Sequence, residues 1–352
     1  MDTLIFILKG ANSMNKVIKL KLTFLLFCFP FFANAQWVKH SFKVMGTLSQ
    51  VEFWLDETTD IVDSSGSEMA TNHSEQAQAL IHLVEQEMFR IDQQMSPYKE
   101  QSELSLINRE AANKAVTISA ELFDLLKTAQ HISAMSDGAF DITYASIGYQ
   151  YNYREKIRPS QSSITKALPA INYTAIMLNK EQSTVHFTHQ GIKIDLGGIA
   201  KGYAVKSCLR LLKKAGIKHA LVSAGGDTGL LGDRNGRPWF VGIKHPRAEH
   251  KTAVSIPLEN EAISTSGDYE RYFIEDGVRY HHIINPKTGD SVRKVVSVSV
   301  IGQDPTYVDA LSTTVFVKGL AEGLALINQL PEFEAIIIDS QRRLHYSKGL
   351  QQ

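Results

Sequence analysis

The chain has 352 residues, 43% of them hydrophobic and 21% charged, which is enough apolar material for one sizeable core or two modest ones. Lys plus Arg and Asp plus Glu number 37 each, so the formal net charge is zero. That balance excludes the broad electrostatic footprint of a nucleic-acid-binding protein or of one held on an anionic membrane surface, and partners must be recognised locally.

The first segment is a processing signal rather than part of a fold. "MNKVIKLKLTFLLFCFPFFANAQ", from Met14, has a basic start, a short apolar run from Leu22 to Phe32 and a small-x-small end at Ala33 and Ala35. Residues 1–35 therefore read as an export signal cleaved after Ala35, with Met14 as an alternative start. The apolar run is too short for a comfortable membrane span, and no Leu-x-Gly-Cys pattern surrounds Cys28 for lipidation. The expected location is the periplasm, any association with the inner membrane coming through partners. Cys208 alone remains in the mature chain, so an internal disulfide and a thiolate zinc site are excluded. It reads as a small apolar residue on a helix face.

"WVKHSFKVMGTLSQVEFWL" alternates as a hairpin of two strands broken at Gly46. Asp56–Gln76 is polar, aperiodic and rich in Ser and Thr, and reads as a solvated loop insert. From Ala77, Leu80, Leu83, Val84, Met88 and Ile91 fall at helical spacing, as do Leu122, Leu125, Leu126, Ala129 and Ile132 further on. The middle reads as strand ("GIKIDLG"), turn, helix ("IAKGYAVKSCLRLLKKAG") and strand ("HALVSAGGD"). Short strands with turn residues between them follow, and a last helical-spacing run, "DALSTTVFVKGLAEGLALINQL", precedes a closing hairpin. No linker, repeat or composition shift divides residues 36–352, which predicts a single α+β domain of mostly antiparallel sheet packed with helices.

Several stretches carry residue types suited to chemistry. In "KIDLGGIAKGYAVK" a strand ending in Gly197 and Gly198 passes into a helix, exposing backbone amides where an anion is stabilised, and Lys201 adds a full positive charge. A tight turn with a solvated Lys201 is the plain alternative. Asp195, at the end of an apolar run, needs a specific partner, whether turn amides, a ligand group or the start of the next helix. Asp309 and Thr313 stand four residues apart, on one face of a helix, and offer hard oxygens suited to Mg²⁺; Asp309 as an N-cap or exposed residue is the alternative. In "YHHIINPKTGD", neighbouring His281 and His282 point to opposite faces of a strand, and His282 is in phase with Tyr280 and Ile284. "SDGAFDIT" sets Phe140 between Ala139 and Asp141, a pattern that fits either a flavin or purine contact or a core phenylalanine. "SAGGD" and "STSGDYERYF" are turns at strand ends that would also allow close backbone approach to a ligand.

Taken together, "KVMGT", "SPYKEQSELSLIN", "GAFDIT", "KIDLGGIAKGYAV", "SAGGD", "STSGDYERYF", "HIINPKTG" and "VDALSTTVFVKG" occur in the order and approximate spacing of the ApbE family, from about Lys43 to the C-terminus. The chain resembles these FAD:protein FMN transferases. The resemblance implies a T-fold-like architecture and an exported enzyme that binds FAD and Mg²⁺. It also implies transfer of FMN to a Thr or Ser hydroxyl of an acceptor protein, a respiratory or electron-transfer flavoprotein, with release of AMP. It implies FAD contacts at Met45, Tyr98, Ala139, Phe140, Asp141, Asp195 and Lys201, metal ligation by the Gly198 carbonyl, Asp309 and Thr313, and catalytic roles for His282 and Asp309. A periplasmic FAD pyrophosphatase and a non-catalytic FAD-binding protein are the alternatives for such a site. The Asp56–Gln76 insert is longer than usual for the family, and the missing lipidation cysteine sets the chain apart from its lipoprotein members.

Overall fold

The structure is a computed structural model that describes residues 36–56, 73–248 and 250–351. Residues 1–35, read as an export signal, and residues 57–72 of the polar insert lie outside the described residues.

β1 (Gln36–Val44) and β2 (Thr47–Leu55) form the expected hairpin, turning through Met45 and Gly46 at φ 52° and 70°. α1 (His73–Met95) buries Ala77, Leu80, Val84, Met88 and Ile91 along one stripe. It starts earlier than its apolar pattern predicts: His73–Gln76, read as loop, form its first turn, where Glu75 favours the positive end of the helix dipole. α2 (Glu103–Glu110), β3 (Val116–Thr117) and α3 (Ala120–Met135) follow, both helices N-capped by serines, Ser102 and Ser119. Two short helices, α4 (Ala145–Gly148) and α5 (Gln161–Ala167), lead to β4 (Ile176–Asn179) and β5 (Thr184–Phe187), which with β3 make a three-stranded sheet in the order β3-β5-β4.

The "GIKIDLG" segment is not a strand. Residues 192–196 are extended, with Ile192, Ile194 and Leu196 buried, but they join no sheet. The side chain of Asn108 takes the place of a neighbouring strand: its amide donates to the Ile194 carbonyl at 2.9 Å and its carbonyl accepts the Ile194 N–H at 2.8 Å. The Asp195 N–H donates to the Ile142 carbonyl at 3.0 Å and the Lys193 N–H to the Ser146 hydroxyl at 3.0 Å. Apolar alternation therefore reported burial correctly, while the hydrogen-bond partners are side chains and loops.

α6 (Ala200–Lys214) ends at Gly216 as expected, and β6 (Ala220–Ala224), β7 (Asp227–Leu231), β8 (Trp239–Lys244), β9 (Thr252–Leu258), β10 (Ala262–Gly267), β11 (Tyr272–Glu275), β12 (Val278–His281) and β13 (Val295–Gly302) succeed it. The final helical-spacing run divides into α7 (Pro305–Lys318) and α8 (Leu320–Ile327) because Gly319 adopts φ 82°. β14 (Phe333–Asp339) and β15 (Leu344–Tyr346) close the chain.

The main sheet has eight strands in the order β1-β2-β6-β7-β10-β13-β14-β15, antiparallel at every junction. It is open, not a closed barrel. One face carries the helices: α1 and α6 pack on β1, β2 and β6, while α7 and α8 pack on β10, β13 and β14. The opposite face meets the β8–β9 hairpin through Trp239, Ile243 and Leu258. Cys208 is buried on the inner side of α6, as its sequence context predicted. Among the described residues no helix is long and apolar enough to cross a membrane.

Helices α6 and α7 approach unusually closely at Gly202, where a Cβ would fall 2.2 Å from the Pro305 carbonyl oxygen and 2.7 Å from Asp309 Cβ. Only glycine fits, and this crossing sets the distance between the first turn of α6 and the middle of α7. The extended segment that feeds α6 depends in turn on Asn108. Asn108→Ala leaves the Ile194 N–H without its partner, while the Ile194 carbonyl keeps the Tyr149 hydroxyl at 2.9 Å, and is expected to cost roughly 1–3 kcal/mol, read as a lowered urea midpoint with an unchanged slope; an unaltered midpoint would show that the segment is held otherwise.

Candidate functional site

The α6–α7 crossing brings three charges together beneath the sheet. Lys201, in the first turn of α6, donates through Nζ to the carboxylate of Asp227 and stands 3.7 Å from Oδ1 of Asp309. Asp227 opens β7 directly after the Gly225–Gly226 turn; a Cβ on Gly226 would lie 2.9 Å from the Thr265 carbonyl, so the glycine seats this turn on β10. Asp227 also accepts the hydroxyl of Ser264, and Asp309 Oδ2 accepts the Gly202 N–H at 2.9 Å. Both carboxylates are 3% exposed. Lys201 is thus ion-paired rather than solvated, and Asp309 is a buried helix-interior residue; the N-cap of α7 is Asp304.

Two carboxylates against one ammonium leave a net charge of −1 in a buried place. Burial first, and then the charge of Asp227, push the Asp309 carboxyl up to about 7 against the opposing pull of Lys201 and the Gly202 N–H. Burial works against the Lys201 ammonium, but the two aspartates outweigh it and hold the lysine protonated.

A row of hydroxyls extends this cluster along α7 and β10. Ser312 meets Ser264 at 3.2 Å and Ser266 at 2.9 Å, and Ser266 meets Thr313 at 3.2 Å. Gly198 lies against the end of the row: a Cβ there would sit 3.4 Å from Thr313 Oγ1 and 3.3 Å from Phe140 Cε2. Gly198, Asp309 and Thr313 therefore gather where the start of α6 meets α7. Among the described residues no three His, Cys, Asp or Glu side chains cluster as metal ligands. A carbonyl, a carboxylate in surplus negative charge and a hydroxyl form an all-oxygen set, and the chemistry of that set fits Mg²⁺.

Asp195 has the turn partner its position demanded: Oδ1 accepts the Gly197 N–H at 2.7 Å. It does not cap α6, whose N-cap is Ile199. The hydroxyls of Tyr144 and Tyr149 also reach its two oxygens, at 3.2 and 3.1 Å. Burial, and then the Asp195 charge, keep both phenols protonated. Asp141 caps a short turn, accepting the Thr143 N–H and hydroxyl at 2.8 and 2.6 Å and the Tyr173 N–H at 2.9 Å. Ala139 and Phe140 are buried, Phe140 within the core and edge-on to Gly198. Met45 is half-buried in the β1–β2 turn, and Tyr98 stands 82% exposed on the turn between α1 and α2.

The two histidines have separate fates. His281 is buried, with Nε2 2.5 Å from the Val292 carbonyl, Nδ1 accepting the Ile283 N–H at 3.2 Å and its ring edge-on to Phe316. It is a structural residue. His282 lies one residue past β12, half-buried, and its Nδ1 is buried with no hydrogen-bond partner among the described residues. Burial, then the charges of Arg271, His281 and Lys201, lower its imidazole to about 3, so the ring is neutral at physiological pH. The Arg271 backbone carbonyl opposes this lowering.

Asp227 and the serines at 264, 266 and 312 went unassigned in the sequence, although Asp227 ends the quoted "SAGGD" motif and Ser264 and Ser266 share one face of a strand. The recognisable signal was a carboxylate placed where an apolar strand begins.

The raised Asp309 group makes a signed prediction. The folded state binds its proton more tightly than the unfolded state does, so its contribution to stability is complete below the ordinary value of 3.8 and is lost as pH rises to about 7. Urea melts of the metal-free protein across that range should show this loss, and Asp309→Asn should remove its own share of the slope; an identical slope in the variant would refute the assignment.

Residues 45–337 match the ApbE family. A protein of Treponema pallidum named FAD:protein FMN transferase is 31% identical over 300 residues, covering 79% of this chain and 83% of its own. A Vibrio cholerae protein of the same name is 32% identical over 252 residues, covering 68% and 74%. Among solved structures, the ApbE protein of Thermotoga maritima superposes with a TM-score of 0.79 at 31% identity, over 90% of this chain and 98% of its own. The flavin transferase ApbE from Vibrio cholerae gives 0.77 at 26% identity, over 90% and 99%. Sequence and fold agree, and the chain belongs to the ApbE family.

Proposed function

We propose that this chain acts as an FAD:protein FMN transferase. It takes the FMN half of FAD, joins it through a phosphoester to a threonine or serine hydroxyl of an acceptor protein, and releases AMP in a Mg²⁺-dependent reaction. The observation that carries this reading is the Lys201–Asp227–Asp309 cluster together with the neutral imidazole of His282, whose buried Nδ1 has no hydrogen-bond partner among the described residues. Its names come from the relatives described as FAD:protein FMN transferases.

The roles follow from the chemistry of each group. Transfer at phosphorus depends mainly on positioning and on offsetting charge. Lys201, kept protonated by its aspartates, offsets diphosphate charge, while Asp227 and Ser264 fix its direction. The Gly198 carbonyl, Asp309 and Thr313 would hold Mg²⁺, which when bound supplies further neutralisation of the diphosphate. His282 accepts the proton of the attacking hydroxyl. Met45 and Tyr98 offer apolar surface to the flavin and adenine rings, while Ala139 and Phe140, whose side chains are buried, would meet them through the backbone, with Asp195 and Asp141 at their polar edges. The export signal supports a periplasmic acceptor, a respiratory or electron-transfer flavoprotein.

Incubation of the mature chain with FAD, Mg²⁺ and a candidate acceptor protein should yield a covalently fluorescent band. His282→Ala should slow its appearance by about a hundredfold or more, and Asp309→Ala should abolish it while the circular dichroism spectrum is unchanged. Release of free FMN and AMP without any labelled acceptor, under conditions in which a related transferase labels the same protein, would overturn the transferase reading.

A further inference from the structure

The β11–β12 hairpin turns through Asp276 and Gly277, at φ 50° and 75°, the geometry of a two-residue turn that fixes register. From it the pairs run Glu275↔Val278, Ile274↔Arg279, Phe273↔Tyr280 and Tyr272↔His281. One rung further, the His282 N–H donates to the Arg271 carbonyl at 3.1 Å, so Arg271 and His282 are the next opposed pair. Directly opposed residues of an antiparallel pair project on the same side. The rings of Phe273 and Tyr280 stack at 5.4 Å on that side, and strand alternation puts Arg271 and His282 with them.

The neighbouring arginines are already engaged: Arg247 and Arg279 with Asp268, Arg158 with Glu275 and Arg293 with Asp290. Arg271 is exposed and makes no ion pair or side-chain hydrogen bond among the described residues. Its charge nevertheless reaches the site, since after burial it is the leading influence that lowers His282. Lys201 is offset by two carboxylates. Arg271 has no counterpart, and the planar fork of a guanidinium matches paired phosphate oxygens.

We propose that Arg271 is a phosphate-binding residue of this site, holding anionic oxygens of the FAD diphosphate beside the free nitrogen of His282. The assignment rests on the transferase reading for its substrate. In the reaction, the acceptor hydroxyl oxygen forms a bond to the FMN-side phosphorus, and the bond from that phosphorus to the bridging oxygen breaks. The bridging oxygen leaves with AMP, and the hydroxyl proton passes to His282. Arg271 makes and breaks no covalent bond; it offsets charge on the phosphoryl oxygens throughout.

The test is flavin-fluorescence titration of the full mature chain with FAD and with riboflavin, which has no phosphate, for wild type, Arg271→Gln and Arg271→Lys. Arg271→Gln should weaken FAD by about tenfold or more, leave riboflavin unchanged and flatten the salt dependence of FAD binding; the lysine variant should fall between. FAD affinity within about twofold of wild type, or an equal loss for riboflavin, would overturn the assignment. Because the readout is binding, it separates the two ideas: a wild type that labels no acceptor but loses FAD selectively on substitution sinks the transferase reading and keeps Arg271. A labelling wild type with an indifferent Arg271→Gln does the reverse.

Discussion

Pairing of one half-buried ammonium with two buried carboxylates is the constraint on which this structure turns. Lys201 belongs to α6, Asp227 to β7 and Asp309 to α7, so the ion cluster joins two helices and the sheet beneath them at one point. Withdrawing charges from water is costly, and the cost is met only where geometry and hydrogen bonds are good. Asp227 has the Ser264 hydroxyl and Asp309 has the Gly202 N–H. The surplus negative charge remains, and a fold that needed only stability would gain by replacing the cluster with apolar residues.

The cluster forms only because the backbone comes unusually close. Gly202 lets α6 touch α7 at Pro305 and Asp309, Gly226 seats the β6–β7 turn on β10, and Gly198 lets the chain pass against Thr313 and Phe140. At each position a Cβ would meet a fixed neighbour in ordinary or closer contact. The helix α7 is correspondingly unusual. Asp309 and Ser312 are fully buried in the same helix as Val308, Leu311 and Val315, so one side of it serves the core and another carries polar groups into the site. Helical periodicity alone describes such a helix poorly, because it is buried nearly all round.

Much of the framework was legible in the residues. The β1–β2 hairpin, α1, α3 and α6, and the succession of short antiparallel strands follow from period and turn chemistry, which are local. The segment at 192–196 was not legible, because alternation reports which side chains are buried and says nothing of what the backbone pairs with; Asn108 lies far away in sequence. Asp309 and Thr313 could be placed on one helix face by their spacing, but the burial that perturbs Asp309 is supplied by α6 and β7. Asp227 was hidden because Gly-Gly-Asp at a strand end is also ordinary turn chemistry. The partner of His282, by contrast, was within reach: Asp276–Gly277 fixes the hairpin, and counting back from it sets Arg271 opposite His282.

That pairing bears on how a weakly basic histidine can serve as a base. His282 is lowered by burial and then by the charges of Arg271, His281 and Lys201, so in the free protein it has little affinity for a proton. The influences of Arg271 and Lys201 are those of permanent cations, which an anion offsets. Under the proposed reaction, a diphosphate held between Arg271 and Lys201 would reduce their influence on the imidazole and raise its basicity. A base that strengthens only when substrate is in place stays neutral and available in the empty site, and it takes up a proton at the stage when the attacking hydroxyl has one to give. In the proposed reaction, Arg271 and Lys201, which suppress His282 in the free protein, would thereby couple its protonation to occupancy of the site.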